Sequence, residues 1–307
     1  MDQALVATLG SFDGIHRGHQ QLFARMQAFA RQLGGRTLVL TFDPHPAELL
    51  RPEAAPPHLL PLAENVAYIY AAGIDAVEVE FFTRELAART AGEYLRHLAT
   101  DYGVTHLFLG YDHRFGSDGR QLSPEEYEVL AADCGIMLLR DVALLYGDER
   151  PISSSAIRRA ITEGAMEEAR GLLGRPHSCS GVVVSGQRLG RRLGFPTANL
   201  QRLDPLQLLP PAGVYACRVY SLPGSSHFVP QRGGMLYLGS RPTLGGNLEP
   251  SIEVHLFDFD ADIYGAELRV ELLSRLAPER RFASLDELKA ALSAYAEETR
   301  AYLAAHP

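Results

Sequence analysis

The chain has 307 residues, 46% hydrophobic and 21% charged, a globular composition with room for two domains of ordinary size, which excludes a disordered or fibrous chain. A formal net charge of −8, from 29 Lys and Arg against 37 Asp and Glu, withholds the basic excess that a sequence-blind grip on nucleic acid needs. The first residues carry no basic leader, no uninterrupted apolar stretch is long enough for a bilayer, and Cys134, Cys179 and Cys217 form neither an even disulfide set nor a CxxC zinc spacing. A reduced cytoplasmic protein with no membrane or nucleic-acid partner is expected. Nothing in the sequence specifies an oligomeric state.

Up to about residue 174, short apolar runs at 5–9, 37–42, 76–82, 105–109 and 136–145 alternate with amphipathic stretches, as βα units of a parallel sheet do. After the first run, Leu22, Met26, Phe29, Ala30 and Leu33 share one face of a helix. Ser123-Pro124-Glu125-Glu126 opens another, with a capping-box spacing and proline in the first turn. This half is expected to be a doubly wound, Rossmann-like α/β domain. After Gly174-Arg175-Pro176 the pattern changes to strand-like segments at 181–185, 213–221, 234–238, 251–259 and 267–273, separated by Gly/Pro turns. Helical periodicity returns only at Ser284-Leu285-Asp286-Glu287, a second capping box. Residues 175–307 are therefore expected to form a small antiparallel β-barrel closed by a terminal helix.

Lys289 is the only lysine, so a Walker A loop, which needs Gly-Lys, is absent, and phosphates must be handled by arginine, histidine, backbone N–H groups and metal. Gly10-Ser11-Phe12-Asp13-Gly14-Ile15-His16-Arg17-Gly18-His19 sits between the first strand and the first helix, where α/β domains bind ligands. Its glycines permit close backbone approach, a helix start offers N–H groups, and His16 and His19 can project towards one phosphate. An ordinary βα turn and a two-histidine metal site are the other readings. In the second half, Gly186, Gly190 and Gly194 punctuate an arginine-rich loop, and Thr197 and Asn199 offer neutral oxygens of the kind Mg²⁺ accepts. Solvated arginines on a β-turn are the alternative. Between 251 and 259 the alternation puts Ile252, Val254 and Leu256 on one face and Glu253 and His255 on the other. Glu253 is either a solvated side chain or the carboxylate that phosphorylation of an alcohol requires near the attacking hydroxyl.

The string GSFDGIHRGH resembles the HxGH signature of the nucleotidyltransferase superfamily, in the form used by prokaryotic FAD synthetases. Thr41-Phe42-Asp43-Pro44-His45-Pro46, Gly110-Tyr111-Asp112-His113-Arg114-Phe115-Gly116 and Ile152-Ser153-Ser154-Ser155-Ala156-Ile157-Arg158 resemble that family's FxPHP, GxDFRFG and ISSTxIR blocks in the same order. Gly194-Phe195-Pro196-Thr197-Ala198-Asn199 resembles the PTAN motif of riboflavin kinases. The segment around Glu253 resembles the block of their catalytic glutamate, and Asp262-Ile263-Tyr264-Gly265 and Pro278-Glu279-Arg280-Arg281-Phe282 fit the blocks that follow. The resemblance covers nearly the whole chain and is to the bifunctional riboflavin kinase/FAD synthetase family.

That resemblance implies an FMN adenylyltransferase domain at 1–174 and a riboflavin kinase domain at 175–307. Riboflavin would be phosphorylated to FMN by ATP, and FMN adenylylated by a second ATP to FAD and pyrophosphate, with Mg²⁺ as cofactor and small molecules as the only partners. It carries catalytic roles onto His16, His19, Arg158 and Glu253. Nucleotide or flavin binding falls to Gly10, Phe12, Asp13, Gly14, Asp112, Ser153, Ser154, Ser155, Gly186, Gly190 and Gly194, and magnesium-bound ATP to Thr197 and Asn199. The chain departs from the family pattern at His113, where phenylalanine is usual, at Ser155, where threonine is usual, and at Ala277, where arginine is common. Two readings compete: a nucleotidyltransferase for another phosphorylated metabolite with a passive barrel, and an OB-like barrel binding an oligonucleotide. Intact PTAN and Glu253 oppose the first, and the acidic balance opposes the second.

Overall fold

The computed structural model describes residues 3–110, 113–140, 144–146, 150–186, 189–242 and 248–306. By packing, the chain divides into two units, Met1–His58 with Leu62–Ser154, and Leu59–Pro61 with Ser155–Pro307.

In the first unit the chain runs β1 (Leu5–Leu9), α1 (Arg17–Gln32), β2 (Arg36–Asp43), α2 (Pro46–Leu50), α3 (Leu62–Ala71), β3 (Ala76–Phe81), α4 (Arg84–Ala88), α5 (Ala91–Asp101), β4 (His106–Leu109), α6 (Pro124–Asp133) and β5 (Met137–Arg140). The five strands pair in parallel in the order β3-β2-β1-β4-β5. β1 and β2 are apolar on both faces because both are covered. Val6 and Val39 pack with Phe23 and Met26 of α1 and Ile69 of α3, while Ala7, Leu9 and Leu40 pack with Leu95 and Leu98 of α5 and Ala131 of α6. Helices on both faces make the expected doubly wound sheet, and its switch point falls at β1, between β2 and β4. α1 buries Leu22, Phe23, Met26 and Ala30; Leu33, expected on that face, is instead the C-cap and is exposed. The capping box at Ser123 forms as the sequence predicts, with Ser123 accepting from Glu126 N–H and Glu126 reaching back. A short antiparallel ribbon of β6 (Leu145–Tyr146) and β7 (Arg150–Pro151) precedes α7 (Ser154–Glu163).

α8 (Met166–Leu173) lies against two later strands and buries Met166 among barrel residues, so packing with the barrel begins upstream of the composition change at residue 175. The remaining elements are β8 (His177–Val184), α9 (Leu189–Leu193), β9 (Ala198–Arg202), β10 (Gly213–Ser221), β11 (Arg232–Pro242), β12 (Leu248–Leu256), β13 (Glu267–Pro278) and α10 (Leu285–Ala305). The strands close an antiparallel barrel in the order β10-β11-β12-β9-β8-β13. Alternate residues fill it: Tyr215, Cys217 and Val219 from β10, Leu236 and Leu238 from β11, Ile252, Val254 and Leu256 from β12, Leu268, Val270 and Leu272 from β13. α10 is capped by Ser284, and Glu287 reaches back one residue further than a capping box, to Ala283 N–H. Arg300 of α10 grips Asp258 with two 2.9 Å bonds and lies over Phe257.

Between β2 and β3 the register is pinned by a polar clasp. Thr37 N–H and hydroxyl both donate to Asp75 Oδ2, at 2.8 and 2.7 Å, and Asp75 N–H donates to Thr37 Oγ1. These bonds hold the Asp75 carboxyl below its ordinary value of 3.8. Asp75→Ala leaves buried Thr37 without its acceptor, and a loss of about 1–2 kcal/mol is expected in denaturant unfolding at neutral pH. The carboxylate's contribution is complete above 3.8 and disappears as pH falls through the lowered native value, so wild type and variant should converge there.

Candidate active sites

The loop after β1 occupies the carboxyl end of the sheet at its switch point. Phe12, Gly14 and Ile15 all have positive φ, at 43°, 85° and 36°, a conformation that costs free energy for the two non-glycine residues. The surroundings hold it. Gly14 N–H donates to Asn65 Oδ1 at 3.0 Å, Ser154 Oγ donates to the Asp13 carbonyl at 2.9 Å, and Gln20 Nε2 donates to the Ile15 carbonyl at 2.9 Å. Phe12 and Ile15 are buried, so the strained turn is locked by packing as well. Gly10 N–H donates to the Leu40 carbonyl, and the Phe12 ring lies so close that a Cβ at Gly10 would meet it at 3.3 Å.

His16 is the N-cap of α1: its Nδ1 accepts the His19 N–H at 3.3 Å. An accepting Nδ1 carries no hydrogen, so the ring hydrogen of the neutral imidazole sits on Nε2. The two imidazoles stack, centroids 3.6 Å apart and 18° from parallel, and the Phe12 edge props His19 at 5.1 Å. Stacked rings hold their in-plane nitrogens side by side. They can reach two oxygens of one phosphate group, and they do not converge on one ion, which favours the anion reading over a two-histidine metal site. Gly18 is required by the same geometry, since a Cβ there would lie 3.1 Å from the His16 ring.

Beside this loop a cavity of about 330 Å³ is lined by Gly10, Ser11, Phe42, Pro46, Leu50, Phe82, Tyr94, His113 and Phe115. His45 Nδ1 accepts Ala47 N–H and caps α2. The Tyr94 hydroxyl donates to Glu80 Oε2, and Tyr102 and His97 meet Oε1 at 3.0 and 2.9 Å. Burial first, then the Glu80 bond, raises the Tyr94 phenol far above the usual tyrosine range, so it remains a donor at any working pH. His113 thus stands in the cavity wall, where the sequence pattern departs. Asp112 lies outside the described residues. Ser154 is tied to the loop through Asp13, Ser153 precedes α7, and Ser155 and Arg158 lie further along α7 in the second packing unit.

On the barrel, the alternation that buries Ile252, Val254 and Leu256 puts Glu253 and His255 on the outer face. The register then sets Tyr237, Glu253 and Asn199 opposite one another across β11, β12 and β9. Thr197, two residues before Asn199, donates its hydroxyl to Glu253 Oε2 at 3.3 Å, and Ser251 donates to Oε1 at 3.3 Å. With its one hydrogen directed at Glu253, Thr197 has oxygen lone pairs to offer a cation. A Cβ at Gly186 would overlap the Asn199 amide, and one at Gly190 would overlap the Phe195 carbonyl. Gly194 ends the short α9 turn at φ 86°. His255 Nδ1 donates to the Pro196 carbonyl at 2.8 Å and its ring edges Phe195, bracing the loop that carries Thr197. Thr197, Glu253 and His255 border a cavity of about 330 Å³ that is otherwise largely apolar, with Phe195, Met235 and, from α10, Leu288 and Leu292. Gln187 and Arg188 lie outside the described residues.

Sequence reasoning missed Asn65, Tyr237 and the Glu80 cluster. Asn65 carried no local signal, because its partner Gly14 is 51 residues away. Tyr237 could have been found by pairing the two alternating segments in register.

Residues 1–156 match the family described as FAD synthetase, and residues 173–303 match the one described as Riboflavin kinase. The bifunctional riboflavin kinase/FMN adenylyltransferase of Escherichia coli strain K12 is 37% identical over 294 residues, covering 95% of this chain and 90% of that protein. Its counterpart from Pseudomonas fluorescens is 36% identical over 300 residues, covering 97% and 93%. A crystal structure described as a macrolide-efflux protein from Streptococcus pneumoniae is 32% identical, with a TM-score of 0.87 over 98% of this chain and 95% of its own. An α/β domain of the nucleotidyl-transferring class is thus fused to a kinase barrel. The chain belongs to the bifunctional riboflavin kinase/FMN adenylyltransferase family. No helix among the described residues is long and apolar enough to cross a membrane.

Gly18→Ala tests the packing of the histidine pair. An alanine inside a helix normally gains about 0.5–1 kcal/mol over glycine. Here the His16 ring must move, and shifted imidazole resonances of His16 are expected by NMR; unshifted resonances with a more stable α1 would contradict the close packing.

Proposed function

We propose that the two reactions of this family run at the two sites described above, riboflavin phosphorylation on the barrel of residues 175–307 and FMN adenylylation at the sheet edge of residues 1–174. The observation that carries the first is the direct Thr197–Glu253 pairing on one wall of the barrel cavity. Thr197 and Asn199 form an all-oxygen, uncharged donor set that fits Mg²⁺ arriving with ATP, and Gly186 keeps space for the Asn199 amide. An ion held by Thr197 and Asn199 would supply charge neutralisation to the phosphates. Glu253 takes the proton of the ribityl 5′-hydroxyl as that oxygen forms its bond to the γ-phosphorus, and the bond to ADP breaks. The apolar wall excludes water that would compete for the phosphoryl group.

At the sheet edge an FMN phosphate oxygen attacks the α-phosphorus of ATP and pyrophosphate leaves. The attacking group is already an anion, so no side chain needs to remove a proton. His16 and His19 donate to phosphate oxygens, the α1 N-terminus adds positive potential, and the locked loop holds these groups in place beforehand, while Arg158, carried separately on α7, is the candidate to hold pyrophosphate oxygens. The cavity lined by Phe42, Phe82, Tyr94 and His113 takes the flat flavin ring. An odd cysteine count and an acidic surface suit the reducing cytoplasm.

The test is a time course with riboflavin, ATP and Mg²⁺, separating riboflavin, FMN and FAD chromatographically. FMN first and FAD after it is the expected order, and no turnover of riboflavin or of added FMN would defeat the reading. His16→Ala or His19→Ala should slow FAD formation by about 10²–10³ with FMN formation retained. Glu253→Gln should slow FMN formation by about 10²–10⁴ with adenylylation of added FMN retained. Equal loss of both reactions in any one of these folded variants would break the division of labour.

A further inference from the structure

The barrel cavity has a polar edge that phosphoryl transfer leaves unused. Thr197 and Asn199 mark the nucleotide end of the row across β9, β12 and β11, and Glu253 stands in the middle. Neighbouring strands are about 4.8 Å apart, so Tyr237 lies one strand beyond Glu253 on the side away from the nucleotide. An in-line displacement brings the acceptor alcohol from that side. The Tyr237 hydroxyl donates to Glu279 Oε1 at 2.6 Å, and both residues border the cavity. The Tyr237 ring lies across Gly239, where a Cβ would overlap it, so the strand keeps a glycine under the ring.

A carboxylate only accepts hydrogen bonds, and one that has taken a phenol hydrogen still has capacity for others. The acceptor brings suitable donors, the secondary hydroxyls of its polyol chain, while its ring suits the apolar wall of Met235, Leu288 and Leu292. We infer that Glu279, aimed by Tyr237, accepts hydrogen bonds from the polyol hydroxyls and so selects a ribityl-bearing flavin. Glu279 is then a specificity residue and Tyr237 its positioning residue. The inference rests on reading the barrel as the kinase site.

The test compares riboflavin with an isoalloxazine carrying a 5-hydroxypentyl chain, which keeps the terminal alcohol and lacks the secondary hydroxyls. Wild type should prefer riboflavin. Glu279→Gln should raise the riboflavin KM about tenfold, lower kcat less than twofold, and shrink the preference over the hydroxypentyl flavin by the same factor. Tyr237→Phe should give a smaller shift in the same direction, and Glu279→Asp an intermediate one. Cooperative thermal unfolding like that of wild type checks that the barrel of each variant is folded, and FAD formation from added FMN checks the first unit. An unchanged riboflavin KM, or an equal loss on both acceptors, would overturn the inference with the kinase reading intact. No FMN from wild type, or full activity in Glu253→Gln, would overturn that reading and the inference with it.

Discussion

The kinase half of this chain depends on strand register. A closed barrel has no edge at which a strand can slide, and every strand contributes alternate residues to one interior. A slip of one residue in β12 would turn Glu253 and His255 into the core and expel Ile252, Val254 and Leu256. Burying those apolar side chains, at about 25 cal/mol per Å² of apolar surface, therefore fixes where the carboxylate points. The same register sets Asn199 on one side of Glu253 and Tyr237 on the other, so the positions of all three side chains follow from the pairing of three strands.

The sheet-edge site is held differently. Its side chains sit on a turn and a helix start, which no ladder of strand hydrogen bonds constrains. Left-handed φ values at Phe12 and Ile15 are tolerated because Asn65, Ser154 and Gln20 take up the loop's backbone groups and because both side chains are buried. His16 is bound into the cap of α1 by the nitrogen that would otherwise compete for a ligand, which leaves the proton at the other nitrogen. Thus the barrel positions one acceptor by register, and the loop positions two donors by strain and capping.

Much of this was legible in the sequence, for a physical reason. Period-2 alternation in 252–256 and the apolar runs at 5–9 and 37–42 are direct consequences of burial, and they gave both architectures and the face of Glu253. The capping box at Ser123 was legible because both partners lie within four residues. Contacts closed over long separations were not. Gly14 to Asn65, Tyr94 to Glu80 and Tyr237 to Glu279 are each made by residue types that have an ordinary surface reading. β9 was missed as well, since Ala198–Arg202 is short and its polar outer residues interrupt the alternation. His45 carried a motif match, and the structure shows its Nδ1 capping α2, a local role that the motif did not announce.

The two sites also differ in what they do with protons, and the substrates account for it. An alcohol cannot attack a phosphate efficiently while it keeps its hydrogen, so phosphorylation calls for a carboxylate within reach; on the proposed reading that is Glu253, which Thr197 and Ser251 hold. The phosphate monoester it makes is already ionised, and a second carboxylate at the adenylylation site would repel it. The loop there presents stacked imidazoles at a helix N-terminus. With only one lysine in the chain, neutral donors and arginine carry the phosphate chemistry. At the loop, the His16 Nδ1 is engaged by the His19 N–H, so the cap of α1 and the orientation of the imidazole are set by the same bond.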